Sequence, residues 1–293
     1  MNTIETLYEG PLGAIEFLQC DGVRCGKGPL GYANAFHVVI PLRGSFVWHL
    51  PSDEIFADSG RVLFAGGGEA YSLSHPVGGD GSIVITPSKA VLEELLGVCD
   101  VAADHRLLRA HWLPNLYDLQ LSIQMLYALC VGSDGLLGVE ECLIGILATL
   151  FDAPQSTPKI GARANRTLSQ AKAILQASAS AKSSLSDIAK AVGVSATYLT
   201  RLFGIVEGIS LHQYELKLRL AAALDVLAET DDMTGLALDL GFCSHSHLTA
   251  AFRTRFGAPP SIIRAQLKAA AERGRTGRRV QRPLCRARGG AAN

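Results

Sequence analysis

The sequence predicts an α+β chain of two domains: an N-terminal β-barrel followed by helices, then an all-α domain with two helix-turn-helix units joined by a connector helix. Three observations carry this expectation. Short β-like runs broken by glycine run from Ala35 to about Thr86, helical periodicity takes over from Ser88, and residues 184–260 repeat themselves once. At 293 residues, two domains are expected, each large enough to bury a core. An apolar content of 48% against 18% charged residues excludes a wholly disordered chain.

From Ala35 to about Thr86, AFHVVIPL and SFVWHL flank Arg43-Gly44 like the two arms of a hairpin. RVLFA, AYSLSH and SIVIT follow, separated by Gly66-Gly67-Gly68 and the turn-rich Pro76–Gly81. Several short strands at this spacing predict an antiparallel sandwich or small barrel. SKAVLEELLGV, LPNLYDLQLSIQMLYALCV and LLGVEECLIGILATLFD then read as three helices. Their faces are more apolar than one small helical layer needs, which leaves surface for a second subunit and predicts a homodimer. Residues 153–165, rich in Pro, Ser and Gly, read as the linker between an N-terminal domain (1–152) and a C-terminal one (166–272). The arginine-rich stretch 273–293 reads as a solvated, disordered basic tail.

The net charge of zero hides an asymmetry. Residues 1–152 carry seven basic and 18 acidic side chains, a net of −11, and the rest carry 20 and nine, a net of +11. Between Arg166 and Glu272 the balance is only 11 against nine, so charge permits nucleic-acid binding without establishing it. The densest apolar stretch, Cys142–Phe151, is too short to span a bilayer, and no secretory signal opens the sequence. With seven cysteines, an odd number, the expectation is a cytoplasmic protein with reduced thiols and no membrane partner.

The repeat is the most informative feature. SLSDIAKAVGVSATYLTRLFGIVEG (184–208) is matched by MTGLALDLGFCSHSHLTAAFRTRFG (233–257). Ala189 and Gly193 recur as Ala237 and Gly241, and Leu199, Phe203 and Gly208 recur as Leu248, Phe252 and Gly257. The spacing lengthens from 48 to 49 residues, which places one extra residue in the second turn. Each copy reads as helix, glycine turn, helix: the small alanine permits a close helix crossing and the glycine a positive φ. Leu211–Leu227 between them forms an apolar stripe (Leu211, Tyr214, Leu218, Ala221, Leu224). A connector of about 18 residues spans roughly 27 Å, near the roughly 34 Å between successive major-groove faces.

These segments resemble the AraC/XylS-type transcriptional regulators. The match lies in LSDIAKAVGVSATYLTRLF, GISLHQYELKLRLAAALDVL and LGFCSHSHLTAAFRTRFGAPPSIIR. Through SHPVGGD and Cys20-Asp21…Cys25, the N-terminal half resembles the cupin-like sensor domain of one branch of that family. The resemblance implies a sequence-specific regulator of promoter DNA, a small effector, contact with RNA polymerase as in activators of the family, and association with the nucleoid when DNA-bound.

In the first unit the outward positions are Ala196, Thr197, Thr200 and Arg201, and Arg201 can donate two hydrogen bonds to guanine. In the second they are His245, Ser246, His247, Thr249 and Ala250. The family often carries a longer polar side chain where Ala250 stands, so this unit is expected to read fewer bases. Arg253, with Arg255, is the expected phosphate contact. His245 and His247 also suit a turn or cap role. In the barrel, His37, Trp48, Tyr71 and His75 are the ligand candidates. A metal set of His37, His49, Glu69 and His75 lacks the close His-x-His pair of metal-binding cupins, so no metal or other cofactor is expected. Cys20 and Cys25 could bind metal, oxidise together or simply be buried. No catalytic motif is evident, and no enzymatic activity is expected. The competing readings are a cupin-type metalloenzyme fused to a DNA-binding module and an effector-independent DNA binder.

Overall fold

The computed structural model describes residues 2–22, 26–51, 53–96, 111–114, 119–132, 136–153, 160–177 and 184–278. Cys25, Cys99, residues 154–159 of the expected linker and residues 279–293 of the expected tail lie outside them.

Two antiparallel sheets face each other. The larger runs β1 (Asn2–Gly10), β2 (Gly13–Cys20), β9 (Asp80–Pro87), β4 (His37–Arg43), β7 (Arg61–Ala65), β10 (Trp112–Pro114). The smaller runs β3 (Gly31–Tyr32), β8 (Ala70–Ser74), β5 (Phe46–His49), β6 (Glu54–Ala57). Side-chain alternation divides the large sheet cleanly. Ile15, Phe17, Val38, Ile40, Ile83 and Ile85 point to one face and pack on helices α2 (Gln120–Gly132) and α3 (Leu136–Asp152), through Ile123, Leu126, Leu143 and Leu147. Their neighbours Glu16, His37, Val39, Val84 and Thr86 point to the other face, into the space between the sheets. Helix α1 (Lys89–Leu96) closes the same apolar layer with Val91.

Four expectations change. Strands β4 and β5 are not a hairpin: β4 lies between β9 and β7 in one sheet, β5 between β8 and β6 in the other. The reason is Gly44, at φ 68°, whose absent Cβ would sit 2.1 Å from the Gly79 carbonyl oxygen, so the chain turns a corner between sheets there. The hairpin β1–β2 precedes the region read as β-rich. The helix expected from Leu113 begins at Gln120, because Trp112–Pro114 pairs with β7 as a strand. Finally, α4 (Ala162–Ala177) starts inside the stretch read as linker, and α10 (Pro260–Arg278) extends six residues into the stretch read as tail.

The helical domain comprises α4, α5 (Leu185–Ala191), α6 (Ala196–Glu207), α7 (Leu211–Val226), α8 (Met233–Asp239), α9 (His245–Phe256) and α10. The connector α7 is 16 residues, about 24 Å. It starts with a capping box between Ser210 and Gln213 and is buried on several sides. Its first half (Leu211, Tyr214) completes the core of the first unit, its second half (Leu220, Ala223, Leu224) that of the second. The outer face of α2 (Leu121, Met125, Ala128), part of the surface expected to meet a second subunit, is covered by this chain's own C-terminal helices. Leu136 and Leu137 at the start of α3 stay exposed.

Candidate nucleic-acid interface and effector cavity

The two helix-turn-helix units are built alike, residue for residue. Ser195 caps α6 by accepting the Tyr198 N–H, and Ser244 caps α9 by accepting the His247 N–H. Gly193 and Gly241 hold the turns at φ 70° and 77°, and Gly208 and Gly257 end the second helices at 68° and 74°. Leu199, Phe203, Leu248 and Phe252 are fully buried, as are Ala189 and Ala237 at the helix crossings. The turn from α8 to α9 is one residue longer than that from α5 to α6.

On the outward faces, Thr197, Thr200 and Arg201 are exposed, whereas Ala196 is half-buried against the core of its own unit. The Thr200 hydroxyl donates to the Ala196 carbonyl at 3.0 Å. In the second unit His245, Ser246, Ala250 and Arg253 are exposed, and Thr249 and Arg255 half-buried. His247 is exposed but engaged: its Nδ1 accepts the Cys243 N–H at 3.4 Å and its ring meets Phe242 edge-on. It serves the turn.

The space between the sheets is a cavity of about 590 Å³, within the usual range for small-molecule sites. His37, Trp48 and Tyr71 line it; His75 does not. His37 is hydrogen-bonded on both sides, its Nε2 donating to Asn34 Oδ1 at 2.7 Å and its Nδ1 accepting from Thr86 Oγ1 at 2.8 Å. Burial holds its pKa below the ordinary imidazole value, so the ring is neutral there. His75 instead sits between Cys20 (Sγ to Nδ1, 3.9 Å) and Asp80 (Oδ1 to Nε2, 2.8 Å). The set His37, His49, Glu69, His75 is not assembled: His49 bonds Glu54 and Ser74, and Glu69 pairs with His111 at 2.9 Å. Among the described residues, Cys20, His75 and Asp80 are the group of metal-donor types that does converge. The spacing in sequence pointed elsewhere, because it paired Cys20 with Cys25. Cys130 is buried, with its thiol pushed up to about 12 by desolvation, and is inert at neutral pH.

A second feature, invisible in the sequence, joins the two domains. Asp58, Arg61, Lys172, Glu207 and Tyr214 form a buried network, each 4% exposed or less. Lys172 Nζ lies 2.9 Å from both Asp58 Oδ2 and Glu207 Oε1, Tyr214 donates to Asp58 Oδ2 at 2.8 Å, and Arg61 donates to Glu207. Two carboxylates meet two cations, so the charges cancel. Arg61 also lies over the Trp112 ring at 3.9 Å. Burial alone would raise the Asp58 pKa; Lys172 and Arg61 outweigh it and hold the carboxyl below its usual range. Asp58 and Arg61 belong to the barrel, Lys172 to α4, and Glu207 to the last turn of α6.

Paired, capped units, each with an exposed polar second helix, have the architecture of the helix-turn-helix class. Residues 188–266 match the family model described as a helix-turn-helix domain. The HTH-type transcriptional regulator ExsA of Pseudomonas aeruginosa is 35% identical over 81 residues, 27% of this chain and 29% of that protein. The HTH-type transcriptional regulator RipA of Corynebacterium glutamicum is 33% identical over 125 residues, 42% of this chain and 37% of that one. A crystal structure of an AraC-type DNA-binding regulator from Chromobacterium violaceum is 33% identical, covering 36% of this chain and 96% of that one, with a TM-score of 0.35. The chain spans about a third of the length of the curated relatives it matches. Residues 188–266 form a helix-turn-helix domain. No helix among the described residues is long and apolar enough to cross a membrane.

Proposed function

We propose that this chain is a sequence-specific transcriptional regulator whose N-terminal barrel senses a small effector. The observation that carries this reading is the duplicated helix-turn-helix with Arg201 exposed on its first recognition helix. Arg201 donates to a guanine edge, with Thr197 and Thr200 against neighbouring bases. Ala196, half-buried, contributes backbone at the helix start. His245 and Ser246 read or approach bases from the second unit with Thr249 beside them, His247 shapes its turn, and Arg253 holds phosphate. The effector occupies the barrel cavity against His37, Trp48 and Tyr71, while His75 acts outside it. Strand β7 supports this coupling: it brings Leu63 and Ala65 to the cavity and Arg61 to the interdomain network. A ligand that prefers one arrangement of β7 then biases the placement of α6. Residues 1–152 sense, α4–α10 bind DNA, and the protein works in the cytoplasm as a homodimer that contacts RNA polymerase at promoters. It needs no cofactor and catalyses no reaction.

The test is selection from randomised duplex DNA with purified full-length protein, wild type against Arg201→Ala. An enriched motif that loses one base-pair preference in the variant supports the reading. Failure to enrich any motif refutes it.

A further inference from the structure

The barrel cavity sets the charge of its occupant, an inference that rests on the effector reading above. On the large sheet Glu16 pairs with Val84, Val84 with Val39 and Val39 with Leu63. One carboxylate therefore stands at the end of an apolar row that lines the cavity. Among the described residues Glu16 has no hydrogen bond or ion pair. The imidazole and the second carboxylate of the lining are already engaged. His37 is saturated on both nitrogens and neutral, and Asp80 is held by His75 at 2.8 Å and by the Ser82 hydroxyl at 3.1 Å. Among the described residues, no lysine or arginine lines the cavity. The opposite wall presents rings: Phe46, Trp48 and Tyr71 on the small sheet and Tyr32 beside them, with Trp48 and Tyr71 packed edge to face at 6.3 Å.

Glu16 lies within electrostatic reach of His37 but, among the described residues, is hydrogen-bonded to none, so filling the cavity with a neutral or anionic molecule strips water from its carboxylate and returns nothing. A cation reverses that sign, and aromatic faces attract the same charge. We propose that the barrel binds an organic cation, an amine with an apolar body, its ammonium paired to Glu16 and its body against Trp48 and Tyr71. Among the described residues, an anionic head group has no lysine or arginine to meet on this lining.

Three isosteric probes test the charge directly: phenethylamine, 2-phenylethanol and 3-phenylpropionate, titrated into full-length protein at pH 7 by calorimetry. Phenethylamine is expected to bind at least about ten-fold tighter than the alcohol, with the carboxylate weakest. Glu16→Gln is expected to abolish the amine's advantage, bringing amine and alcohol to equal affinity, with the alcohol bound at least as tightly as by wild type, which also reports an intact cavity. Equal or tighter binding of the alcohol or carboxylate, or an amine preference that survives Glu16→Gln, overturns the cation assignment and leaves the cavity as the effector site. Binding by none of the three overturns the assignment and the effector reading together.

Discussion

Lys172→Met separates the buried network from ordinary surface ion pairing. The substitution keeps a long apolar stem but removes one of two cations that balance Asp58 and Glu207 at 0–4% exposure. Asp58 keeps the Tyr214 hydroxyl and the Gly60 N–H, each at 2.8 Å, and Glu207 keeps Arg61. One negative charge is nevertheless left without a counterpart. Removing one partner of a buried pair costs about 3–5 kcal/mol, and the retained hydrogen bonds place this case near the lower end, about 3 kcal/mol. That is a shift of over a hundred-fold in the folding equilibrium. Urea denaturation followed through Trp112, whose ring Arg61 covers, reads the loss at the network itself. Lys268→Ala is the control, because its pair with Asp231 is 3.5 Å long and largely exposed, worth about 0–1 kcal/mol. Adding Asp58→Asn to Lys172→Met restores neutrality and is expected to recover part of the loss, a coupling of about 1.5 kcal/mol or more. A Lys172→Met protein within about 0.5 kcal/mol of wild type, or additive single effects, would refute the reasoning.

Other outcomes follow from single sites. Arg201→Ala should weaken specific DNA binding by about 1–3 kcal/mol in a gel-shift titration while leaving the thermal midpoint unchanged, since the side chain is exposed. Gly208→Ala should cost about 1–2 kcal/mol, because φ is 68° but nothing lies within 4 Å of a new Cβ; Gly44→Ala should cost more, since its Cβ also meets the Gly79 oxygen. His111, paired with Glu69, has a pKa raised above its ordinary value by that hydrogen bond. Its stabilisation is full below about pH 6.5 and is lost as pH rises through the raised value, so His111→Gln should flatten stability against pH above that point. For Asp58 the sign is opposite: its pKa is lowered, so its contribution is full above about pH 4 and fades as acid protonates it, a loss that Lys172→Met should move to higher pH.

The helix-turn-helix units were legible in sequence because each is a local structure: caps, turn glycines and the leucine and phenylalanine of each core all fall within 25 residues. The large sheet was only partly legible. Its strands alternate as expected, but which strand pairs with which depends on contacts such as Gly44 against Gly79, 35 residues apart in sequence, and no local pattern encodes them. Leu113 and Pro114 read as the start of a helix because the apolar residues there suit either period, and only the edge of β7 decides between them. His37, Trp48 and Tyr71 share the cavity because strand alternation is visible in sequence, while Glu16 was overlooked with its strand. The network was beyond reach: Lys172 and Asp58 are 114 residues apart, and each alone reads as an ordinary surface charge.

Glu207 stands at one end of the first recognition helix and Arg61 on a strand of the effector cavity, and the two are in contact. The barrel therefore holds the second helix of the first unit directly, through side chains and not only through the covalent chain. Exchanging the barrel for another one requires rebuilding the charged contact at Asp58 and Arg61.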